Sequence, residues 1–139
     1  MVGDRGILNG DGGITDFFAN DPLTDRIIAC IIRVHQRLGP GFLEGVYKRA
    51  LLIELERHGL TTRTEQEIPI FYDGRLIGRH RLDMLVEKKV IIELKAVEAL
   101  GKSHYAQVRS YLKASGLRTA ILVNFSSELA DFRRIEVRR

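Results

Sequence analysis

The chain has 139 residues, 45% hydrophobic and 29% charged, with a net charge of +4 from 22 basic and 18 acidic side chains. That is one domain, long enough to fold without disulfides or a structural metal, and the lone cysteine, Cys30, excludes an intrachain disulfide. No apolar run approaches the roughly 20 residues of a bilayer span, and no basic segment followed by an apolar one marks a signal peptide, so a cytoplasmic protein with no membrane partner is expected.

Residues 1–20 hold five glycines and little apolar periodicity. They read as a flexible Gly-rich leader, with Phe17 and Phe18 able to dock onto a single domain over residues 21–139. A first helix is expected from about Thr24, its N-cap, to Leu38, because Ile27, Ile28, Ile31, Val34 and Leu38 recur at helical spacing. Cys30 lies in its apolar run and reads as a buried structural thiol. Gly39-Pro40-Gly41 ends that helix. A second helix follows from about Leu43 to His58, with Val46, Tyr47, Ala50, Leu51, Ile53 and Leu55 as its buried stripe and Gly59 as its stop.

The period then changes from helical to alternating. Thr62–Tyr72 and Leu76–Val86 read as two strands joined by the hairpin signal Asp73-Gly74. Glu87-Lys88-Lys89 is a solvated turn, and Val90–Ala96 is a third, mostly apolar and central strand. Ser103 caps a third helix that runs to about Ala114 and closes at Gly116. Arg118–Asn124 and Phe132–Val137 complete the strands. The order is that of an α/β domain, a mixed sheet flanked by helices.

Chemistry is suggested first by Glu93 and Lys95. Residues two apart on a strand share a face, so a carboxylate and an ammonium project together from an apolar strand, where charge is costly unless paired or metal-bound. The spacing alone is close to chance: composition gives about one acid-x-Lys triplet, and Glu87-Lys88-Lys89 is a second. Asp83 adds weight. It lies on the strand expected to pair antiparallel with the third, and an odd number of unpaired turn residues sets it opposite Glu93 on the same face. Two adjacent carboxylates raise one pKa unless a cation lies between them, and such oxygen sets suit Mg²⁺ or Mn²⁺. Lys95 would then sit beside a water and a phosphate, able to orient the nucleophile or stabilise developing charge. Glu44 opens the second helix, where the helix dipole alone favours an acid. Gln107 and Tyr111 share one face of the third helix, and either contact a phosphate and brace the acids or form an amphipathic edge. His104 lies close to Gln107. His35, His58 and His80 read as surface or edge residues, without zinc-ligand spacing.

Together these segments are recognisable. Gly41-Phe42-Leu43-Glu44-Gly45-Val46-Tyr47 resembles the Gly-x-x-Glu-x-x-Tyr signature of the GxxExxY protein family. Asp83, then Glu93-Leu94-Lys95, then Gln107-x-x-x-Tyr111, resembles the motif series of PD-(D/E)XK nucleases, and Leu122-Val123-Asn124-Phe125 is similar to that family too. The likeness covers roughly residues 22–137. Leu82 stands where the superfamily motif has proline, a common departure. The resemblance implies a restriction-endonuclease-like αβββαβ core and a metal-dependent hydrolase acting on phosphodiester bonds, with DNA ahead of RNA. It further implies Mg²⁺, with Mn²⁺ as the other candidate ion, held by Asp83, Glu93 and the Leu94 backbone carbonyl. Glu44 completes the acidic cluster, Lys95 positions the attacking water, and Gln107 joins the catalytic set. Tyr111 and His104 are candidate substrate contacts. The alternative is a non-catalytic nucleic-acid- or partner-binding module that retains the fold. A homodimer or a helicase-type partner is compatible with so small a chain.

Overall fold

The computed structural model describes residues 21–138; the expected leader, with Phe17 and Phe18, lies outside them, as does Arg139. The elements are α1 (Pro22–Leu38), α2 (Glu44–Arg57), β1 (Thr62–Tyr72), β2 (Arg75–Val86), β3 (Val90–Lys95), α3 (Lys102–Ser115), β4 (Thr119–Asn124) and β5 (Asp131–Glu136). The five strands form one mixed sheet in the order β1-β2-β3-β4-β5. Only β3 and β4 run parallel, because α3 carries the chain back across the sheet between them. The other three neighbouring pairs are antiparallel.

Two apolar clusters pack against opposite faces of the sheet. Ile27, Ile31 and Val34 of α1 and Tyr47, Leu51 and Leu55 of α2 meet Met84, Val86, Ile92 and Leu94 on one face. Val108, Tyr111 and Leu112 of α3 meet Leu82, Leu85, Ile91 and Leu122 on the other. β3 and β4 are covered on both faces, as their continuous apolar runs require. Cys30 is fully buried, and desolvation raises its thiol pKa. No helix of the described residues is long and apolar enough to cross a membrane.

Several local expectations are corrected. The α1 N-cap is Asp21 and not Thr24: its carboxylate accepts from Leu23 N–H and Thr24 N–H, with Pro22 in the first turn. The N-cap of α3 is Gly101 and not Ser103. Val46 and Ile53 are exposed, while the acid Glu54 is buried in the α2 stripe, 3.4 Å from Arg33 and 3.6 Å from Arg37 of α1. His35 is buried and not at the surface, its Nε2 2.6 Å from Ser127 O. Glu87 is more than a solvated turn: its carboxylate accepts Thr61 N–H at 2.6 Å.

Candidate active site

The site lies where β2 and β3 part. Their pairing runs Val86–Val90, Leu85–Ile91, Met84–Ile92 and then stops. The same register carried one step further sets Asp83 opposite Glu93. At that step Asp83 Oδ2 accepts the N–H of Leu94 at 2.9 Å, so a carboxylate holds an amide of the partner strand beyond the last ladder pair. Side-chain alternation also breaks here. Leu82 packs in the α3 cluster and Met84 in the α1/α2 cluster, yet Leu85 returns to the α3 side. Across β1 the matching irregularity is Glu65, with φ 54°, between the pairs Thr64–Met84 and Gln66–Leu82. A left-handed non-glycine residue needs support. Glu65 has it from an ion pair with Lys48 and another with Arg81 at 3.2 Å. The Lys48 ammonium holds the Glu65 carboxyl below its usual range. Asp83 therefore sits in a wedge between the sheet's two faces instead of on one of them.

Glu93 projects from β3 on the α3 side and is buried. Its Oε2 lies 3.5 Å from Lys95 Nζ. Its Oε1 is buried without a hydrogen-bond partner among the described residues. Burial, and then the charge of Asp83, push its carboxyl up to about 8, against the opposing pull of Lys95. Lys95 Nζ also donates to Gln107 Oε1 at 3.1 Å, so α3 reaches the site through that amide. Tyr111 is buried below, 4.6 Å from the His80 ring, and burial with the nearby Glu93 and Asp83 charges pushes its hydroxyl up to about 12. That burial leaves Tyr111 little surface for a substrate. His104 caps its own helix: its Nδ1 accepts Gly101 N–H at 2.9 Å and closes the start of α3.

From the opposite face, α2 presents Glu44 and Lys48. Glu44 is raised by desolvation and then by Asp83, and lowered by Lys95 and Lys48. Lys48 Nζ lies 3.6 Å from Asp83 Oδ1. Glu44 faces the pair but does not close with it: among the described residues no three acid, His or Cys side chains form a compact ligand group. The loop before Glu44 is fixed by Tyr47, fully buried and stacked on Phe125 at 4.6 Å. Its hydroxyl donates to Gly39 O at 2.6 Å and accepts Phe42 N–H at 3.1 Å.

Lys48 and Glu65 escaped the sequence reading, and Asn124 entered it only within the Leu122–Phe125 segment, without a role. Lys48 was findable, being four residues from Glu44 on the same helix face. Asn124 was findable as an amide ending an apolar strand: it is buried, accepts Val97 N–H at 3.1 Å and donates to Val97 O at 2.8 Å. It so fixes the chain just after Lys95, its register partner. Glu65 had no signal beyond its charge.

A buried carboxylate oxygen without a donor, beside a second carboxylate where the β2–β3 ladder ends, fits a divalent cation. Asp83 and Glu93 would hold it. Over residues 21–136 the chain matches the model of the PD-(D/E)XK nuclease superfamily. The chain belongs to that superfamily. Its members typically use divalent metals, and nucleic acid is their substrate. No curated protein matches. Among solved structures, the crystal structure of SSO0001 aligns with a TM-score of 0.54 at 22% identity, over 66% of this chain and 48% of that one. That likeness shows the fold alone, and this PD-(D/E)XK chain spans about half the length of that structure.

Proposed function

We propose that this PD-(D/E)XK chain, of the GxxExxY type by its Gly41, Glu44 and Tyr47, is a Mg²⁺- or Mn²⁺-dependent nuclease that hydrolyses phosphodiester bonds in DNA. The observation that carries the reading is Glu93: a buried acid with one unpartnered oxygen, set against Asp83 and within reach of Lys95. Asp83, Glu93 and the Leu94 carbonyl would hold the ion. When bound, the ion supplies a Lewis acid for the scissile phosphate and makes water a usable nucleophile near neutral pH. The chain does the rest by positioning. Lys95, steadied by Gln107, orients the attacking water and faces the charge that develops on the phosphate. Glu44, at the exposed mouth, takes a proton or supports a second ion. Lys48, 3.6 Å from Asp83, balances the charge of that carboxylate. The preference for DNA rests on the motif series alone.

A cleavage assay with EDTA, Mg²⁺ or Mn²⁺ on single- and double-stranded DNA and RNA tests this. Divalent-dependent cleavage is expected to fall by at least about 100-fold in Glu93→Ala and Lys95→Ala. Cleavage that survives both substitutions equally sinks the assignment. One observation favours a second reading, a non-catalytic nucleic-acid- or partner-binding module: Lys48 and Lys95 already stand beside the two carboxylates. Failure to bind Mg²⁺ or Mn²⁺ at millimolar concentration selects that reading.

A further inference from the structure

The β1–β2 hairpin extends well beyond the sheet it belongs to. β3 pairs with β2 only at Met84, Leu85 and Val86, so the part of the hairpin from Gln66 to Leu82 projects past the last β2–β3 pair. From Asp83 to Gly74 is about 30 Å at ~3.3 Å per residue. One face of this projection is covered by α3, through Ile68 in the α3 cluster and His80 against Tyr111. The pairs Glu67–Arg81, Pro69–Arg79 and Phe71–Leu76 alternate with that face and so occupy the other one.

This open face continues into the site. Arg81 pairs with Glu65, Glu65 with Lys48, and Lys48 with Asp83, an unbroken line of charges from hairpin to carboxylate. Further out, the segment Arg75–Arg81 carries three arginines and a histidine without an acid. Among the described residues neither Arg75 nor Arg79 has an acidic partner within 4.0 Å. Around them the tip exposes Phe71 (61%), Tyr72 (70%), Leu76 and Ile77. Four large apolar side chains left open on one hairpin mark a binding surface.

Three occupants suit apolar surface: a second copy, an apolar protein partner, or nucleic-acid bases. The edge strand argues against augmentation by a second copy, since Pro69 lacks a ladder donor and the register shifts between Ile70 and Phe71. Arginines without counter-acids beside exposed rings suit a polyanion whose bases are free to stack. Paired bases offer no open face to a ring, and single strands do.

Resting on the nuclease reading above, we infer that the open face of the β1–β2 hairpin is a docking track for single-stranded nucleic acid leading into the site. Arg79 holds the backbone, and Phe71, paired with Leu76 on the same face, stacks on a base near the tip. A strand of about nine nucleotides spans the track even at ~3.4 Å each.

Fluorescence anisotropy of the full chain in EDTA tests this without requiring cleavage. The probes are a labelled 20-nucleotide oligothymidine and a labelled 20-base-pair duplex. The oligothymidine is expected to bind at least tenfold more tightly than the duplex. Phe71→Ala weakens that binding by about tenfold, and Tyr72→Ala, on the other face of the hairpin, leaves it unchanged. Arg79→Ala lowers the salt dependence by close to one counterion, about 0.7 in log–log slope. All these side chains are exposed, and an unchanged melting temperature confirms folding. Binding indifferent to both Phe71→Ala and Arg79→Ala overturns the track. So does a tip substitution that converts a dimer to a monomer in light scattering while oligothymidine affinity stays fixed. Tip-dependent binding without divalent-dependent cleavage sinks the catalytic reading and leaves the track standing.

Discussion

Glu93 concentrates the physics of the site in one side chain. An ordinary glutamate titrates near 4.3; burial and Asp83 move this one to about 8 in the metal-free chain. The folded state thus keeps a proton that the unfolded chain gives up between roughly pH 4.3 and 8. The associated stability is fully present below the lower value and is lost as pH rises through the upper one. The melting temperature in EDTA should therefore decline from pH 5 to pH 9. Glu93→Gln, which cannot ionise, should flatten that decline. Identical profiles for the two proteins would show that Glu93 is not held protonated by its surroundings. The pairing of Glu93 with Lys95 was legible from strand alternation alone. The place of Asp83 was only half legible. Register arithmetic put it opposite Glu93, but the wedge depends on Glu65 in a left-handed conformation and on Lys48 reaching from another helix. Neither leaves a periodic trace. The same holds for His35 and His104, whose ring nitrogens bond to backbone that only the folded chain brings near or orients.

At the scale of elements, the tyrosine that closes the Gly41–Tyr47 segment acts as a clamp. Tyr47 ties Gly39 and Phe42 together and stacks on Phe125, so the turn that delivers Glu44 is held from below. Tyr47→Phe keeps the stacked ring but leaves Gly39 O and Phe42 N–H without their hydroxyl partner. A loss of about 1–3 kcal/mol in urea unfolding is expected, with an unchanged denaturant slope. Tyr47→Ala also removes the ring and should lose roughly 3–5 kcal/mol. Equal losses for the two variants would mean the hydroxyl does no holding. The strands themselves were largely readable. Asp73-Gly74 takes φ values of 50° and 74°, as a two-residue hairpin turn demands, and β1 runs Thr62–Tyr72 as the alternation indicated. Helix starts were less readable, because a cap is chosen by whichever side chain or backbone reaches the free N–H groups. Asp21 wins over Thr24 on that count. The stripe of α2 misled for a related reason: Glu54 is buried because arginines of α1 accompany it, and Ile53 is turned outward.

At the scale of the molecule, the acids stand where groups from both sides of the sheet converge. Glu44 and Lys48 come from the α1/α2 side, Gln107 and Tyr111 from the α3 side, and Asp83 and Glu93 from the strands between. A cation bound there would couple to folding of the whole domain, since the unfolded chain cannot gather Asp83 and Glu93. By linkage, Mn²⁺ at 100 times its dissociation constant stabilises by about 2.7 kcal/mol. For a domain of this length each kcal/mol moves the melting point by about 4 °C, so a rise of about 10 °C is expected by calorimetry at pH 7.5. The rise should shrink as pH falls below about 8, because protons and the cation compete for Glu93. It should vanish in Glu93→Gln, which removes a ligand charge, and persist in Arg79→Ala, which lies on the hairpin far from the acids. A rise of equal size in the Gln variant would place the bound cation elsewhere on the molecule, and Glu93 would then be a buried proton carrier and not a metal ligand.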